Sequence, residues 1–259
     1  MALALFIIRT DGEKMNSDWW NSLVEKFQVN FIAEDRWLWL VDGLKATLII
    51  ACGALLLGLF LGFVIAIVRS SSENLLKDVK KWTLGKVLLK IGDLFCKLYL
   101  TVIRGTPVVV QLMIIYFVIF ASFDVDKIPV AIIAFGINSG AYVAEIVRSG
   151  IMSIDKGQFE AGRSLGFNYV QTMIFIILPQ ALKNVLPALA NEFIVLLKET
   201  SVSGYIGLMD LTKAGDLIKS RTYEAFMPLI AVALIYLVVV IILTKLVSIL
   251  ERRLRTSER

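Results

Sequence analysis

The chain has 259 residues, is 58% hydrophobic with a mean hydropathy of +0.77, and carries a net charge of +5. That is too apolar for a soluble domain, whose apolar fraction runs to about 45–50%, and it points to an all-α polytopic membrane protein. Histidine is absent, which excludes His-based triads, His metal sites and the commonest proton shuttle near neutral pH.

In chain order, residues 1–36 are a mixed extracytoplasmic segment. Met1–Ile8 is apolar, but it has no basic region before it and is too short for a signal-peptide core, so it is expected to be retained. Trp19, Trp20, Leu23, Val24 and Phe27 fall on one helical face, which suits an interfacial helix on the outer leaflet; packing against the first span is the alternative. Trp37 and Trp39 fit an aromatic belt.

The uncharged runs Ala46–Val68, Gly105–Phe123, Ile128–Ala144 and Ala225–Thr244, with the more broken Phe167–Leu197, give five spans of about the 20 residues a bilayer requires. With their flanks they cover about residues 38–68, 104–123, 128–150, 168–198 and 224–248. A membrane domain over 37–255 and a tail of 256–259 follow. Lysine and arginine concentrate from Arg69 to Arg104, from Arg148 to Arg163 and from Lys245 to Arg259, which five spans place on one side. The positive-inside rule makes that side the cytoplasm, with the N-terminus out and the C-terminus in. This distribution also argues against nucleic acid as the partner.

In span one, Gly58-x-x-x-Gly62 has the small-residue spacing of close helix packing. The lysine-rich connection Arg69–Lys97 reads either as a solvated cytoplasmic loop or as an amphipathic helix on anionic headgroups. Cys52, inside span one, and Cys96, in this connection, offer no disulfide framework. In Arg104-Gly105-Thr106-Pro107, Pro107 suits a first helical turn and Arg104 can reach the interface by snorkelling; a structural role is expected. Asp124–Lys127 makes an outer turn.

Span three holds Asn138, Tyr142 and Glu145 on one face. An ionisable group inside a span is a functional candidate, although Glu145 can also simply pair with Arg148. Ser153–Pro179 then offers a short polar helix, about residues 155–166. Asp155 and Gln158 are expected to form a capping box and Gly166 to close the helix. Phe159, Gly162, Arg163 and Gly166 share a face, and a helix this short needs a docking partner. Span four is interrupted by Pro179, Lys183 and Pro187, breaks tolerated where backbone faces protein or a cavity. Asn191 with Lys198 and Glu192 with Glu199 form two polar stripes. An outer segment, Ser203–Arg221, is expected to hold a short helix between Gly207 and Ser220, and span five is a packing helix.

Glu160-Ala161-Gly162, then Gly166, then Ile176-Ile177-Leu178-Pro179 resembles the EAA loop of ATP-binding-cassette importer permeases, with Gly162 where the pattern usually has a second alanine. Arg104-Gly105-Thr106-Pro107 with Gln111 is similar to the polar amino-acid branch of that family. So are the run Asn138-Ser139-Gly140-Ala141-Tyr142-Val143-Ala144-Glu145 and the segment Glu199-Thr200-Ser201. The resemblance implies a type I importer permease fold of five transmembrane helices with a cytoplasmic coupling helix. It implies Gln158, Glu160, Ala161, Gly162 and Gly166 in coupling to an ATPase, and Asn138, Tyr142, Glu145, Asn191, Glu192, Glu199 and Ser201 along the substrate path. It also implies an ATPase subunit dimer, a second permease chain, identical or homologous, and an extracytoplasmic amino-acid-binding protein. No Walker A pattern occurs, since Gly85-Lys86 lacks the required glycine spacing. No cofactor is therefore expected in this chain, ATP and magnesium belonging to the partner ATPase. A ligand ammonium would suit the carboxylates. A stand-alone secondary transporter or ion channel is the competing reading, because broken helices and membrane carboxylates fit that class too.

Overall fold

The computed structural model describes residues 19–75 and 83–256, and every regular element among them is helical. Met1–Ile8, Asp18, the Lys80–Trp82 part of the basic connection and the last three residues lie outside the described residues. Residues 19–27 are helical and largely exposed, Trp19 and Trp20 above all. A π turn over Gln28–Ile32 and a 3-10 turn over Ala33–Asp35, with Glu34 at φ 55°, lead into α1, Arg36–Leu75. The remaining helices are α2 Leu84–Gly105, α3 Val108–Ile114, α4 Lys127–Met152, α5 Lys156–Ser164, α6 Tyr169–Thr172, α7 Leu178–Glu199, α8 Leu211–Thr222 and α9 Phe226–Thr256.

Helix α4 is the axis of the bundle. Its buried face carries Val130, Ala131, Ala134, Phe135, Ala141 and Val143, and its main neighbour is α1. Small residues let the two approach. A Cβ on Gly58 would stand 2.9 Å from Ser139 Cβ, and one on Gly62 would stand 2.4 Å from Val143 Cγ1. The glycine spacing read in span one therefore serves packing inside this chain. On the far side of α4, Gly150 meets Val185 of α7, again too close for a Cβ.

Two expectations about the spans are corrected. The expected second span, 104–123, is split: residues 104–105 end α2, and the rest is helical over residues 108–119, as α3 and a π turn over Ile115–Ile119. At 1.5 Å per residue that is about 18 Å, short of the roughly 30 Å hydrocarbon core. The basic connection before it is the 22-residue α2, bent from α3 by 109°. Leu84, Leu88, Ile91, Phe95, Leu98 and Val102 form its exposed apolar stripe, while Asp93 and Leu100 are buried against the bundle. Among the described residues, four helical segments are long and apolar enough to cross a membrane, and five if α2 and α3 make one bent span.

Span four is irregular at Pro179, as expected, but not at Lys183 or Pro187. The helix runs through Lys183 and Pro187 without interruption. Its irregularity is a π turn, Met173–Ile177, just ahead of Pro179. A widened turn there relieves the clash that a proline ring makes with the carbonyl four residues earlier.

Candidate coupling site and substrate path

Helix α5 begins at Asp155, whose Oδ1 accepts from the Gly157 backbone N–H at 2.7 Å. The expected reciprocal bond from Gln158 is not made. Gln158 Oε1 instead accepts from Gln180 Nε2 of α7 at 3.2 Å. The capping box in this region is one turn structure later, where Asn168 Oδ1 accepts from the Gln171 N–H and Gln171 Oε1 accepts from the Asn168 N–H, both at 2.9 Å. Gly166 closes α5 at φ 83°.

The two sides of α5 are also distributed differently from the sequence expectation. Gly162 is buried, with Thr172 so close that a Cβ would lie 2.6 Å from its Cγ2. Gly162 therefore admits this chain's own α6, not a partner, and its departure from alanine has a steric reason. Phe159 turns toward a cavity of about 240 Å³ between the ends of α1 and α4 and the start of α6. Glu160, Ala161, Arg163, Ser164 and Leu165 are left exposed, Leu165 at 72%. A second polar link joins this region to α7: Asn184 Nδ2 donates to Ser153 Oγ at 2.8 Å, and Ser153 Oγ donates to the Gly150 carbonyl. The coupling segment is thus tied to α4 by continuity and to α7 by side chains.

The polar face of α4 is met mainly by α2 and α3. Asn138 Nδ2 donates to Gln111 Oε1 at 3.0 Å. The Arg104 guanidinium lies 3.2 Å from Glu145 Oε2 and 5.8 Å from the centre of the Tyr142 ring. Arg148 is the more distant partner of Glu145, at 3.9 Å, and its nearer contact is Glu73 of α1 at 3.1 Å. Arg104 therefore binds α4 and does not simply reach for the interface. Tyr99 donates to the Ile137 carbonyl. From α7, Glu192 Oε1 accepts from Ser139 Oγ at 3.1 Å.

The structure brings Asn138, Tyr142 and Glu145 onto one face and joins the next residue, Ser139, to Glu192. Glu199 and Ser201 continue toward the α8 end, half-buried, while Asn191 and Lys198 are exposed and stand apart from this cluster. Sequence reasoning missed Gln111, Ser139 and Arg104 as members of the site. The signal was available: Gln111 and Arg104 are polar side chains flanking a proline bend inside apolar sequence, and Ser139 lies within the Asn138–Glu145 run that resembles the amino-acid permeases.

At the opposite end of α4, Lys127 Nζ donates to the Gly207 carbonyl at 2.9 Å, and Gly207 sits at φ 70°. Asp210, wholly buried, caps α8 by accepting from the Thr212 and Lys213 N–H groups at 2.9 and 3.2 Å. Burial pushes the Asp210 carboxyl above the ordinary aspartate value, and those backbone bonds pull against it.

Comparison with known proteins bears on this arrangement. The family described as "Binding-protein-dependent transport system inner membrane component" matches residues 83–256. The arginine transport system permease protein ArtQ of Bacillus subtilis is 38% identical over 221 residues, covering 85% of this chain and 94% of ArtQ. The glutamine transport system permease protein GlnP of Escherichia coli K12 is 36% identical over 219 residues, covering 83% and 93%. A crystal structure of an amino acid ABC transporter with histidines has a chain 40% identical, with TM-score 0.74, covering 86% of this chain and 98% of that one. An inward-facing structure of the MetNI methionine ABC transporter, 18% identical at TM-score 0.67, shares the fold over 83% of this chain and 95% of its own. The chain belongs to the inner membrane components of binding-protein-dependent transport systems, with the type I fold of an ATP-binding-cassette importer permease; it is a transport subunit and not an enzyme.

Proposed function

We propose that this chain carries a polar amino acid across the inner membrane, receiving it from a solute-binding protein on the outer side and driven by an ATPase dimer docked on α5. The observation that carries the reading is the two-sided α5: Glu160, Ala161, Ser164 and Leu165 are uncovered, while Gln158 and Gly162 are fastened to α7 and α6 of the same chain. A helix with one face held by the bundle and the other uncovered can pass a push from outside into the spans. Glu160 and Ala161 then belong to the docking face; Gln158, Gly162 and Gly166 fix the helix that presents it. The amino-acid class rests on the arginine and glutamine permeases to which the chain is similar.

Two permease chains, identical or homologous, enclose the path in this reading. Closure of the ATPases moves α5, and with it α4 and α7, which opens the path outward to the loaded binding protein. Asn138, Tyr142, Glu145, Glu192, Glu199 and Ser201 line or support that path, and Glu192 is placed to receive an ammonium group. The exposed Asn191 is a weaker member. The end bearing α5 faces the cytoplasm and the end bearing α8 faces outward, in line with the positive-inside rule.

The test is co-purification with the ATPase, followed by uptake of labelled amino acids into proteoliposomes with the binding protein. Wild type is expected to retain the ATPase, and Glu160→Arg, on an exposed site, is expected to lose it without loss of folded permease. A chain that binds no ATPase yet conducts or exchanges solute alone would establish the secondary-transporter reading instead.

A further inference from the structure

We propose that Gln111 is a positioning residue for transport: its side-chain amide locks the bend between α2 and α3 to α4, so that movement of α4 is passed to α3. The inference rests on the importer reading above. Helix α2 ends at Gly105, and its last carbonyls have no partners in their own helix. Pro107 brings no N–H to satisfy them, so a side-chain donor is needed. Gln111 is 8% exposed and fills this need. Its Nε2 lies 2.7 Å from the Ile103 carbonyl, 3.1 Å from the Thr106 carbonyl and 2.8 Å from Thr106 Oγ1. On its other side, Oε1 accepts from Asn138 Nδ2 of α4. One amide therefore closes the end of α2, sits on α3 and holds α4.

Tyr99 of α2 also donates to the Ile137 carbonyl of α4, but the remaining contacts, those of α3 above all, do not fix the register as firmly. Leu112 and Ile115 pack against Val130, Ala134 and Phe135, and apolar burial is non-directional. Arg104 and Glu145 are each more than a third exposed at the side chain, where ion pairs contribute little. Because α5 follows α4 after only a three-residue turn, a push on α5 reaches α4 first. Passage to α3 then depends on the one buried directional side-chain bond between the two among the described residues, and without it ATP is spent while α3 lags.

The quantity to measure is ATP hydrolysed per amino acid taken up, in proteoliposomes holding permease, ATPase and binding protein. Gln111→Met keeps the length and removes every hydrogen bond, and the ratio is expected to rise about tenfold, the order that loss of a buried hydrogen bond can produce. A purely structural residue would lower uptake and stimulated hydrolysis in proportion and leave the ratio at the wild-type value, which would overturn the inference. Asn138→Leu should raise the ratio too, and Gln111→Met on that background should raise it no further; an additive rise would also overturn it. Should Gln111→Met fail to assemble, Gln111→Glu, which retains an acceptor for Asn138, is expected to give an intermediate ratio, and a wild-type ratio there refutes the proposal. Wild-type complexes that hydrolyse ATP but accumulate no amino acid would overturn the importer reading itself, and this inference with it.

Discussion

A Cβ on Gly162 would press on Thr172 at 2.6 Å, whereas one on Gly166 would meet nothing within 4 Å. The first glycine answers to a neighbour and the second to its own backbone, at φ 83°. Gly162→Ala should destabilise the solubilised protein by about 1–3 kcal/mol through overpacking, and Thr172→Ala on that background should recover most of the loss. Gly166→Ala should cost about 1–2 kcal/mol through the left-handed backbone alone, with no recovery from Thr172→Ala. Thermal unfolding in detergent distinguishes the two, and equal rescue of both would refute the assignment. Asp210 offers a further check. Replacing it with alanine removes the α8 cap and should cost about 0.5–2 kcal/mol, while asparagine retains an acceptor and should cost less. Because burial raises this carboxyl above 3.8, the folded protein holds its proton more tightly than the unfolded chain does. Its contribution is therefore complete below that value and is lost as pH rises through the folded one. Asp210→Asn should flatten that part of the stability profile, and an unchanged profile would count against the assignment.

At the scale of elements, α5 works only if its links to the spans hold. Gln180→Leu together with Asn184→Leu removes the bonds to Gln158 and Ser153 and leaves the exposed face intact. The double variant should still retain the ATPase while uptake falls about thirtyfold, given roughly 1 kcal/mol for each of the two bonds; loss of ATPase binding would mean that these residues shape the docking face itself. The position of α5 was legible in the sequence because a polar, glycine-closed segment between apolar runs has few other places to be. The same logic found α4 and, between Gly207 and Ser220, most of α8. It failed for the Asp155–Gln158 box because a tertiary partner, Gln180, competes for the Gln158 side chain. It failed for Pro187 because a single missing donor does not stop a helix already committed on both sides. For α2 the sequence left a solvated loop and an amphipathic helix both open, because Lys86, Lys90, Asp93 and Lys97 suit either, and the helix is what forms. Leu84, Leu88, Ile91, Phe95, Leu98 and Val102, spaced alternately by four and three, were the helical signal beneath them.

Over the whole molecule, charge marks one end of the bundle. Arg69, Asp93 and Lys97 form one cluster and Glu73, Arg148, Glu145 and Arg104 another, joined through Arg69 and Glu73, and together they tie α1, α2 and α4 near α5. Asp124 and the exposed Tyr205 belong to the other end. In a chain with Cys52 and Cys96 replaced by serine, a membrane-impermeant thiol reagent added outside should label Asp124→Cys and Tyr205→Cys, and should reach Leu165→Cys only after the membrane is opened. The reverse pattern would invert the orientation. Phe95→Cys tests α2 in the same background. Phe95 is 67% exposed on an apolar stripe whose opposite face is buried on the bundle, and such a stripe is stable only against acyl chains or other protein. A hydrophilic reagent should therefore leave it unlabelled from either side, while an apolar reagent dissolved in the bilayer should react. Ready labelling by the hydrophilic reagent from the cytoplasmic side would return α2 to the solvated connection that its lysines suggested, and would leave the 12 residues of α3 and its π turn to cross a bilayer they are too short to span.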